Sequence, residues 1–280
     1  AARRRSGSTT GAGRWAPPAS RPASTSDAVL EAGGAHLPAL MVELERRLAA
    51  IAAGHGETLG EHAGATIAAG GKRLRPLLVF LAAGDAARDR ERQAGALRAA
   101  VAIELVHSAT LVHDDVLDGA TLRRGRPTVV AAAGRGLATA TGDFLFSRAF
   151  AELATNDRVD EVRVLSRASS ALALGELAQR ADAWDAAISV ERYLHRCELK
   201  TARLFEAAAR LGALEGGGPA DALGAFGAAI GLAFQLLDDV LDVSGPVERT
   251  GKRRGTDLLD GTVTLPLILA RERDPEIAAT

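Results

Sequence analysis

Helical periodicity is the feature that most restricts how this chain of 280 residues can fold. Between residues 28 and 243, apolar side chains recur at three- and four-residue spacing, the period of a helix with one buried face. Alanine and leucine dominate these segments, Gly/Pro clusters such as LEGGGPAD separate them, and no alternating strand pattern persists. The predicted helices span residues 28–53, 57–69, 76–84, 91–118, 136–155, 158–181, 189–212 and 219–243.

Several long helices with wide apolar faces predict an all-α fold, a single helical bundle domain over residues 27–280. Residues 1–26 are rich in Arg, Ser, Gly and Pro and contain no acidic residue, so we expect a disordered tail. The same composition also fits an organellar transit peptide.

Charge and cysteine content restrict the partners. A net charge of −1 gives no indication of nucleic acid or of an anionic membrane surface. The longest apolar stretches, such as FGAAIGLAF, are too short for a transmembrane segment, so we expect a soluble, cytoplasmic protein. A single cysteine, Cys197, excludes an internal disulfide framework and a cysteine-based zinc site.

Two acidic motifs, LVHDDVLD and LLDDVLD, end two of the predicted helices. Each places carboxylates at i, i+1 and i+4, so that the first and last lie one turn apart on one face. Negative charge at a helix C-terminus interacts unfavourably with the helix macrodipole. A solvated acidic face would not explain why the same sequence pattern occurs twice. We therefore expect the motifs to hold a cation, and hard oxygen ligands without sulfur favour Mg²⁺. The six carboxylates belong to Asp114, Asp115, Asp118, Asp238, Asp239 and Asp242.

Basic residues cluster around both motifs, as GGKRLRP, LRRGRP and GKRRG. Arginine matches phosphate oxygens bidentately, and lysine acts as a point charge. Of 34 cationic side chains only three are lysines, Lys72, Lys200 and Lys252, which suggests that these positions need an ammonium group. The pattern indicates two separate anionic groups, one bridged by metal ions and one held by side chains.

Seven motifs in order give the chain a specific resemblance to the all-trans polyprenyl diphosphate synthases, within the class I isoprenoid synthases. They run from about Gly70 to Pro266 and comprise GGKRLRP, ELVHSATLVHDDVLD, LRRGRPT, TGDFLFSRAF, ELKTARLF, FQLLDDVLD and GKRRGTDL with GTVTLP. The resemblance implies a helical bundle around a central active-site cavity. It also implies condensation of isopentenyl diphosphate with an allylic diphosphate, with Mg²⁺, expected as three ions, held by the six aspartates.

The same resemblance implies roles for the other residues. Arg123, Lys200 and Lys252 would contact the allylic diphosphate, with Thr201 and Gln235 near the reacting carbons. Isopentenyl diphosphate would be bound by Gly71, Lys72, Arg75, His107 and Arg124. The resemblance alone implies a homodimer. His113, beside the first motif, is expected to make a structural hydrogen bond rather than to act as a base.

Product length should depend on the helix that carries the first acidic motif. Thr110 and Ala109 lie four and five residues before Asp114, and Val106 lies eight before it. In the family a bulky aromatic at the four- or five-residue position stops growth at farnesyl. The small side chains here predict a product of 20 carbons or more, and Ala109→Phe is expected to shorten it.

The chain departs from the family pattern in two places. Thr262 stands where the family usually has lysine, so Arg253 or Arg254 could replace one diphosphate contact. Family members also continue through further helices beyond the position of Thr280, so we expect a C-terminal truncation.

Three alternative classes of protein fit the sequence less well. A terpene cyclase would not carry DDVLD as its second motif or need a second diphosphate site. A non-catalytic subunit of a hetero-oligomeric synthase would tend to lack some of the aspartates. A di-iron carboxylate bundle would need Glu-x-x-His pairs, which the relevant helices lack.

Overall fold

The computed structural model describes residues 25–245 and 255–278. Within these ranges the helices are α1 (Thr25–Gly33), α2 (His36–Ala53), α3 (Glu57–Ala68), α4 (Leu74–Ala83), α5 (Gln93–Asp118), α6 (Val129–Ala154), α7 (Val159–Ala181), α8 (Val190–Cys197), α9 (Arg203–Gly216), α10 (Ala220–Ser244), α11 (Thr256–Leu259), α12 (Leu265–Arg273) and α13 (Pro275–Ala278). A short 3-10 helix, Gly84–Ala87, follows α4, and a π-helix, Glu198–Ala202, joins α8 to α9. Two-residue strands β1 (Leu122–Arg123) and β2 (Arg126–Pro127) form an antiparallel hairpin between α5 and α6.

Helix α5 is the centre of the bundle. It is buried almost all round between residues 95 and 109, and it packs against α4, α6 and α9. Its first acidic motif therefore emerges from the core at the C-terminal end, where Gly119 takes a left-handed conformation and ends the helix. The predicted all-α bundle is confirmed.

Close helix packing brings the second acidic motif toward the first. Helix α9 lies between α4 and α10. A Cβ atom at Gly212 would come within 2.2 Å of the Val79 carbonyl oxygen of α4, and one at Gly227 within 2.6 Å of the Phe205 carbonyl oxygen. Glycine at these two contacts lets the backbones approach, so α10 runs directly along α9 with its motif beside the π-helix.

Most predicted helix boundaries agree with the structure within three residues. The predicted helix 28–53 is instead two helices, α1 and α2, and the helix predicted to end at residue 212 continues to Gly216. Helix α6 also differs. It begins at Val129 rather than at residue 136, and Thr128 caps it by accepting a hydrogen bond from the Ala131 amide at 3.2 Å. Gly134 has φ 81° and ψ 170°, so the first turn is offset from the rest of α6. Because this break interrupts the apolar pattern, the periodicity located only the longer part.

Parts of the sequence prediction concern the two ends of the chain, and some of these residues lie outside the described ranges. The expected tail, residues 1–26, is described only from Thr25, where α1 begins. Helices α11 to α13 were not predicted, because their segments are too short to show a period. In the described part, α5 and α10 are long and apolar enough to cross a membrane by length and composition. The absence of a transmembrane segment therefore stays a prediction.

Candidate active site

Two cavities meet between α5, α7, α10 and the π-helix. One has a volume of about 510 Å³ and is walled largely by apolar side chains, among them Leu111, Leu172 and Leu204. The other, about 310 Å³, is polar and is lined by carboxylates, guanidinium groups and amides. Five residues line both cavities and so mark the boundary between them: Asp114, Lys200, Thr201, Gln235 and Asp238. All five were predicted from the sequence as site residues.

The three carboxylates of the first acidic motif have different surroundings. Asp114 faces both cavities, and burial raises its pKa to about 6, with further contributions from the neighbouring Glu176 and Asp118 charges. Asp118 faces the polar cavity and accepts a hydrogen bond from Arg180 at 2.8 Å. Asp115 is buried on the other side of the helix, where Arg123 Nε and Nη2 both lie 2.8 Å from its Oδ1 atom.

The second motif is divided in the same way. Asp238 faces both cavities. Asp239 is buried, and its two oxygens accept hydrogen bonds from the Tyr193 hydroxyl at 2.6 Å and the Gln235 amide at 2.7 Å. Asp242 lines neither cavity, and its Oδ2 atom accepts from the Asp257 amide at 3.3 Å. Three motif carboxylates of the polar cavity do not have both oxygens bound by protein donors among the described residues. They are Asp114 and Asp118, one turn apart on α5, and Asp238 on α10.

The side chains of the polar cavity provide some of the oxygen ligands that a hard divalent cation requires. Among the described residues, no group of three or more His, Cys, Asp or Glu side chains is close enough together to hold a metal ion by itself. Mg²⁺ typically uses only one or two protein carboxylates, with water and substrate phosphates completing its shell. Asp114 and Asp118 on α5 and Asp238 on α10 supply such ligands, and the raised pKa of Asp114 reflects a buried carboxylate that a cation would stabilise.

Lys200 and Thr201 lie in the π-helix, a wider turn that often occurs at functional positions. The wide turn directs both side chains between the cavities. Lys200 Nζ donates to Glu176 Oε2 at 2.5 Å, and the Thr201 hydroxyl donates to Gln235 Oε1 at 2.6 Å. Thr201, Gln235, Asp239 and Tyr193 thereby form one hydrogen-bonded chain from the cavity boundary into the protein.

Two of the residues expected to bind isopentenyl diphosphate line the apolar cavity. Arg75 lies over the Phe205 ring, 4.5 Å from its centroid, and burial lowers the pKa of Arg75 to about 10. Burial, together with the charges of Arg75 and Arg124, lowers the pKa of His107 well below its ordinary value, so the imidazole is neutral.

Two others of this set, Arg124 and Gly71, lie at the hairpin. Arg124 shares a small crevice with Asp115 and Arg123. A Cβ atom at Gly71 would come within 3.2 Å of the Arg124 guanidinium, which places this loop against the hairpin. Lys72 is exposed and lines none of these three cavities. Lys252, expected at the allylic diphosphate, lies outside the described residues, as do Arg253 and Arg254.

Some residues of the site were not found from the sequence. Glu176 and Arg180 lie one turn apart on α7, where an acidic–basic pair looks like a solvated surface. Arg196, Asp257 and Asp260 also line the polar cavity, and no repeated motif singles them out. No motif singles out Tyr193 either, and its hydroxyl donates a hydrogen bond to Asp239. His113 faces the apolar cavity, stacks with Phe146 and lies 3.3 Å from an Asp143 oxygen.

The wall of the apolar cavity differs from the sequence prediction. Thr110 and Leu111 line it, together with Leu117, Phe146 and Leu177. Ala109 and Val106 are fully buried in the core and do not line this cavity. The structure does not place these two positions in the cavity wall, and their effect on product length stays a prediction.

The long helices enclose a carboxylate-rich cavity that joins an apolar one, and basic side chains lie where the two meet. This arrangement is typical of the class of proteins that act on apolar diphosphates. The sequence profile of the polyprenyl synthetase family matches residues 57–279. The chain therefore belongs to the polyprenyl synthetase family. Its relatives are polyprenyl diphosphate synthases, and the chain is an enzyme of that kind, a trans-prenyltransferase.

Individual relatives differ in the product that they are named for. The chain is 43% identical over 237 residues to component 2 of the heptaprenyl diphosphate synthase of Geobacillus stearothermophilus, covering 84% of this chain and 72% of that one. It is 42% identical over 214 residues to the geranylgeranyl diphosphate synthase of Methanosarcina mazei, covering 73% and 65%.

Solved structures agree with the fold. The heptaprenyl diphosphate synthase of Staphylococcus aureus superposes with a TM-score of 0.81 at 31% identity, covering 86% of this chain and 77% of that one. A polyprenyl synthase of Caulobacter crescentus, solved with calcium and isoprenyl diphosphate, has a TM-score of 0.76 at 36% identity, covering 92% and 78%.

Proposed function

We propose that the enzyme condenses isopentenyl diphosphate with an allylic diphosphate in a Mg²⁺-dependent reaction, and that its all-trans product has 20 carbons or more. The observation that supports this most strongly is the boundary between the cavities, where Asp114 and Asp238 face Lys200 across a polar space that opens into an apolar one. A diphosphate fits the polar cavity, and a prenyl chain fits the apolar cavity.

The metal ions would be held by Asp114, Asp118 and Asp238, in a number that we expect to be three. When bound, they would neutralise diphosphate charge and so assist loss of the leaving group. Asp115, Asp239 and Asp242 would act as supports. Tyr193 and Gln235 engage both oxygens of Asp239, whereas Arg123 engages one oxygen of Asp115 and the Asp257 amide one oxygen of Asp242.

The side chains at the boundary have distinct tasks. Lys200 and Arg123 bind the allylic diphosphate, and the ammonium of Lys200 stabilises charge on the departing group. Thr201 and Gln235, fixed by their mutual hydrogen bond, face the reacting carbons. The apolar walls exclude water from the allylic cation. The double bond of isopentenyl diphosphate attacks that cation, and a proton is then lost to the released diphosphate.

The chain also offers a second diphosphate site. Arg75, His107, Arg124, Gly71 and Lys72 are proposed to hold isopentenyl diphosphate. Arg75 has a buried Nε atom without a hydrogen-bond partner among the described residues, so it retains a donor for an anion. A neutral His107 can still donate one hydrogen bond from its ring.

Activity in EDTA is the direct test of metal dependence. We expect condensation to stop in EDTA and to return with Mg²⁺. Asp114→Ala and Asp238→Ala should each lower the rate by orders of magnitude with helicity unchanged in circular dichroism. Undiminished activity in EDTA, or full activity in either variant, contradicts the metal assignment.

A second candidate function is a subunit of a two-component synthase, since one relative is named as component 2. We propose instead a cytoplasmic homodimer that is active alone. Sedimentation of the purified chain, together with an assay without added partner, separates the two. A chain that is inactive until another protein is supplied favours the two-component form.

A further inference from the structure

Among the described residues, Glu176 is the one carboxylate of the apolar cavity that belongs to neither acidic motif. It lies on α7 at 9% exposure and lines the apolar cavity. Its Oε2 atom accepts the hydrogen bond from Lys200 at 2.5 Å. Its Oε1 atom lies 3.1 Å from Arg180 Nε but has no hydrogen-bond donor in suitable geometry among the described residues.

Through these contacts Glu176 joins two cations that face the diphosphate region. Arg180 also contacts Asp118, to which its Nη2 atom donates a hydrogen bond at 2.8 Å. The resulting sequence of charges runs from Asp118 through Arg180 and Glu176 to Lys200, along the edge of both cavities. Two cations are thus held in place by one carboxylate before any substrate binds.

The backbone fixes this arrangement. Gly175, the neighbour of Glu176, lies so close to the π-helix that a Cβ atom there would come within 2.6 Å of the Lys200 amide nitrogen. Helix α7 and the π-helix are therefore in direct backbone contact at this point, and the Glu176 side chain meets Lys200 over a short, defined distance.

We propose that Glu176 is a positioning residue that holds Lys200, and through Arg180 also Asp118, in the orientation that the leaving diphosphate requires. The proposal rests on the assignment of Lys200 to the allylic diphosphate. Holding a lysine side chain in one orientation costs conformational entropy, and the contact with Glu176 offsets that cost before substrate binding. Because the ammonium has three donors, one can remain on Glu176 while the other two face the polar cavity.

This role separates kcat from KM. Glu176→Gln keeps the size of the side chain but removes the charge that holds Lys200. Transition-state stabilisation should fall, and kcat should drop by about tenfold or more, less than the roughly 10²–10³-fold typical of losing a transition-state donor outright. The KM for the allylic diphosphate should stay unchanged or decrease, because the variant lacks the negative charge that lies beside the anionic diphosphate.

The experiment compares Glu176→Gln with Glu206→Gln in steady-state assays of the full chain. Glu206 provides a matched control, since it also contacts two cations, Arg203 at 2.7 Å and Arg210 at 3.3 Å, but on the outer face of α9. We expect wild-type kinetics from the control. A kcat for Glu176→Gln within twofold of wild type, or a raised KM for the allylic diphosphate, overturns the proposal.

Folding and the underlying function are tested separately. Circular dichroism and thermal unfolding establish that Glu176→Gln is folded. If it is not, Glu176→Asp decides, because it keeps the charge and withdraws the carboxylate by one methylene: a reduced kcat supports positioning, and a wild-type kcat overturns it. If the wild-type chain does not condense the two diphosphates at all, the proposed function has failed rather than the role of Glu176.

Discussion

At the scale of single residues, the two acidic motifs do not contribute six equivalent ligands. Asp239 is 3% exposed and has both oxygens engaged by protein donors, whereas Asp238, one residue before it, faces both cavities. Adjacent positions on a helix point about 100° apart, so Asp114 and Asp238 open to both cavities. Asp115 and Asp239 are buried against protein donors, Asp239 at the wall of the polar cavity. The second aspartate serves as an anchor for the first.

Removing the Tyr193 hydroxyl, which donates to Asp239, should therefore distinguish the contribution of Asp239 to stability from its contribution to catalysis. Tyr193→Phe leaves a buried Asp239 oxygen without its donor, which costs about 1–3 kcal/mol of unfolding free energy. We expect urea unfolding to report this loss, and kcat to fall severalfold because Gln235 and Asp238 are less well held. Unchanged stability would mean that water replaces the hydroxyl.

At the scale of helices and loops, residues 262–264 are held in place by a buried ion pair. Arg196 on α8 lies 3.4 Å from Asp182 and also donates to the Val263 carbonyl, beside Thr262. Arg192 contacts the same carboxylate at 2.5 Å. These contacts fix the strand-like stretch before α12 at the wall of the polar cavity.

Arg196→Ala should loosen this stretch. Breaking a buried pair costs about 3–5 kcal/mol when the remaining charge is left uncompensated, and Arg192 should reduce the loss here. Amide hydrogen exchange at residues 262–264 is expected to accelerate while exchange in α5 stays slow. Arg203→Ala, which removes an exposed pair with Glu206, serves as the control and should change unfolding free energy by about 1 kcal/mol or less.

The face of α5 that lines the apolar cavity predicts how product length can be changed. Thr110 lines that cavity, so Thr110→Phe should place a ring in the path of the growing chain and shorten the product. Ala109 is fully buried in the core, so Ala109→Phe should instead destabilise the fold through overpacking, by about 1–3 kcal/mol. Chromatography of dephosphorylated products and thermal unfolding of both variants distinguish these outcomes. Unshortened products from a folded Thr110→Phe would contradict this description of the wall.

At the scale of the whole molecule, a polar junction far from the cavities connects three helices of the bundle. The Asn156 amide lies 2.8 Å from Glu161 on α7, 3.2 Å from the Gly95 carbonyl on α5 and 3.4 Å from Glu215 on α9. Burial, followed by the neighbouring Glu215 carboxyl, raises the pKa of Glu161 to about 8 from an ordinary value of 4.5. The folded protein therefore keeps Glu161 protonated at neutral pH.

This junction should make stability depend on pH. Because the pKa of Glu161 is raised on folding, its contribution is complete below the ordinary value and is lost as pH rises through about 8. We expect the thermal midpoint to fall between about pH 4.5 and pH 8 and to level off at higher pH, where Glu161 is ionised in both states. Each kcal/mol of lost stability corresponds to roughly 2–4 °C for chains of this size class. Glu161→Gln should flatten the slope, and substitution of the exposed Glu191 should not. A slope that survives in Glu161→Gln contradicts the assignment.

Much of the fold could be predicted from the sequence because long amphipathic helices have a readable period. The acidic motifs were placed correctly at the ends of α5 and α10 for the same reason. The contacts between helices were not predictable: Glu176 meets Lys200, and Tyr193 meets Asp239, across 24 and 46 residues of sequence. Likewise, the period alone could not decide whether Ala109 or Thr110 faces the cavity, since both lie on an all-round buried helix.

The π-helix at Glu198–Ala202 has a consequence for which changes in length the chain can accept. It contains one residue more than an α-helical turn would need, which sets the directions of the side chains within the turn. Deleting a single residue there would restore the regular turn. The side chains of Lys200 and Thr201 would then be redirected, although neither had been altered. This segment should therefore accept many substitutions at Glu198 or Leu199 but no deletion.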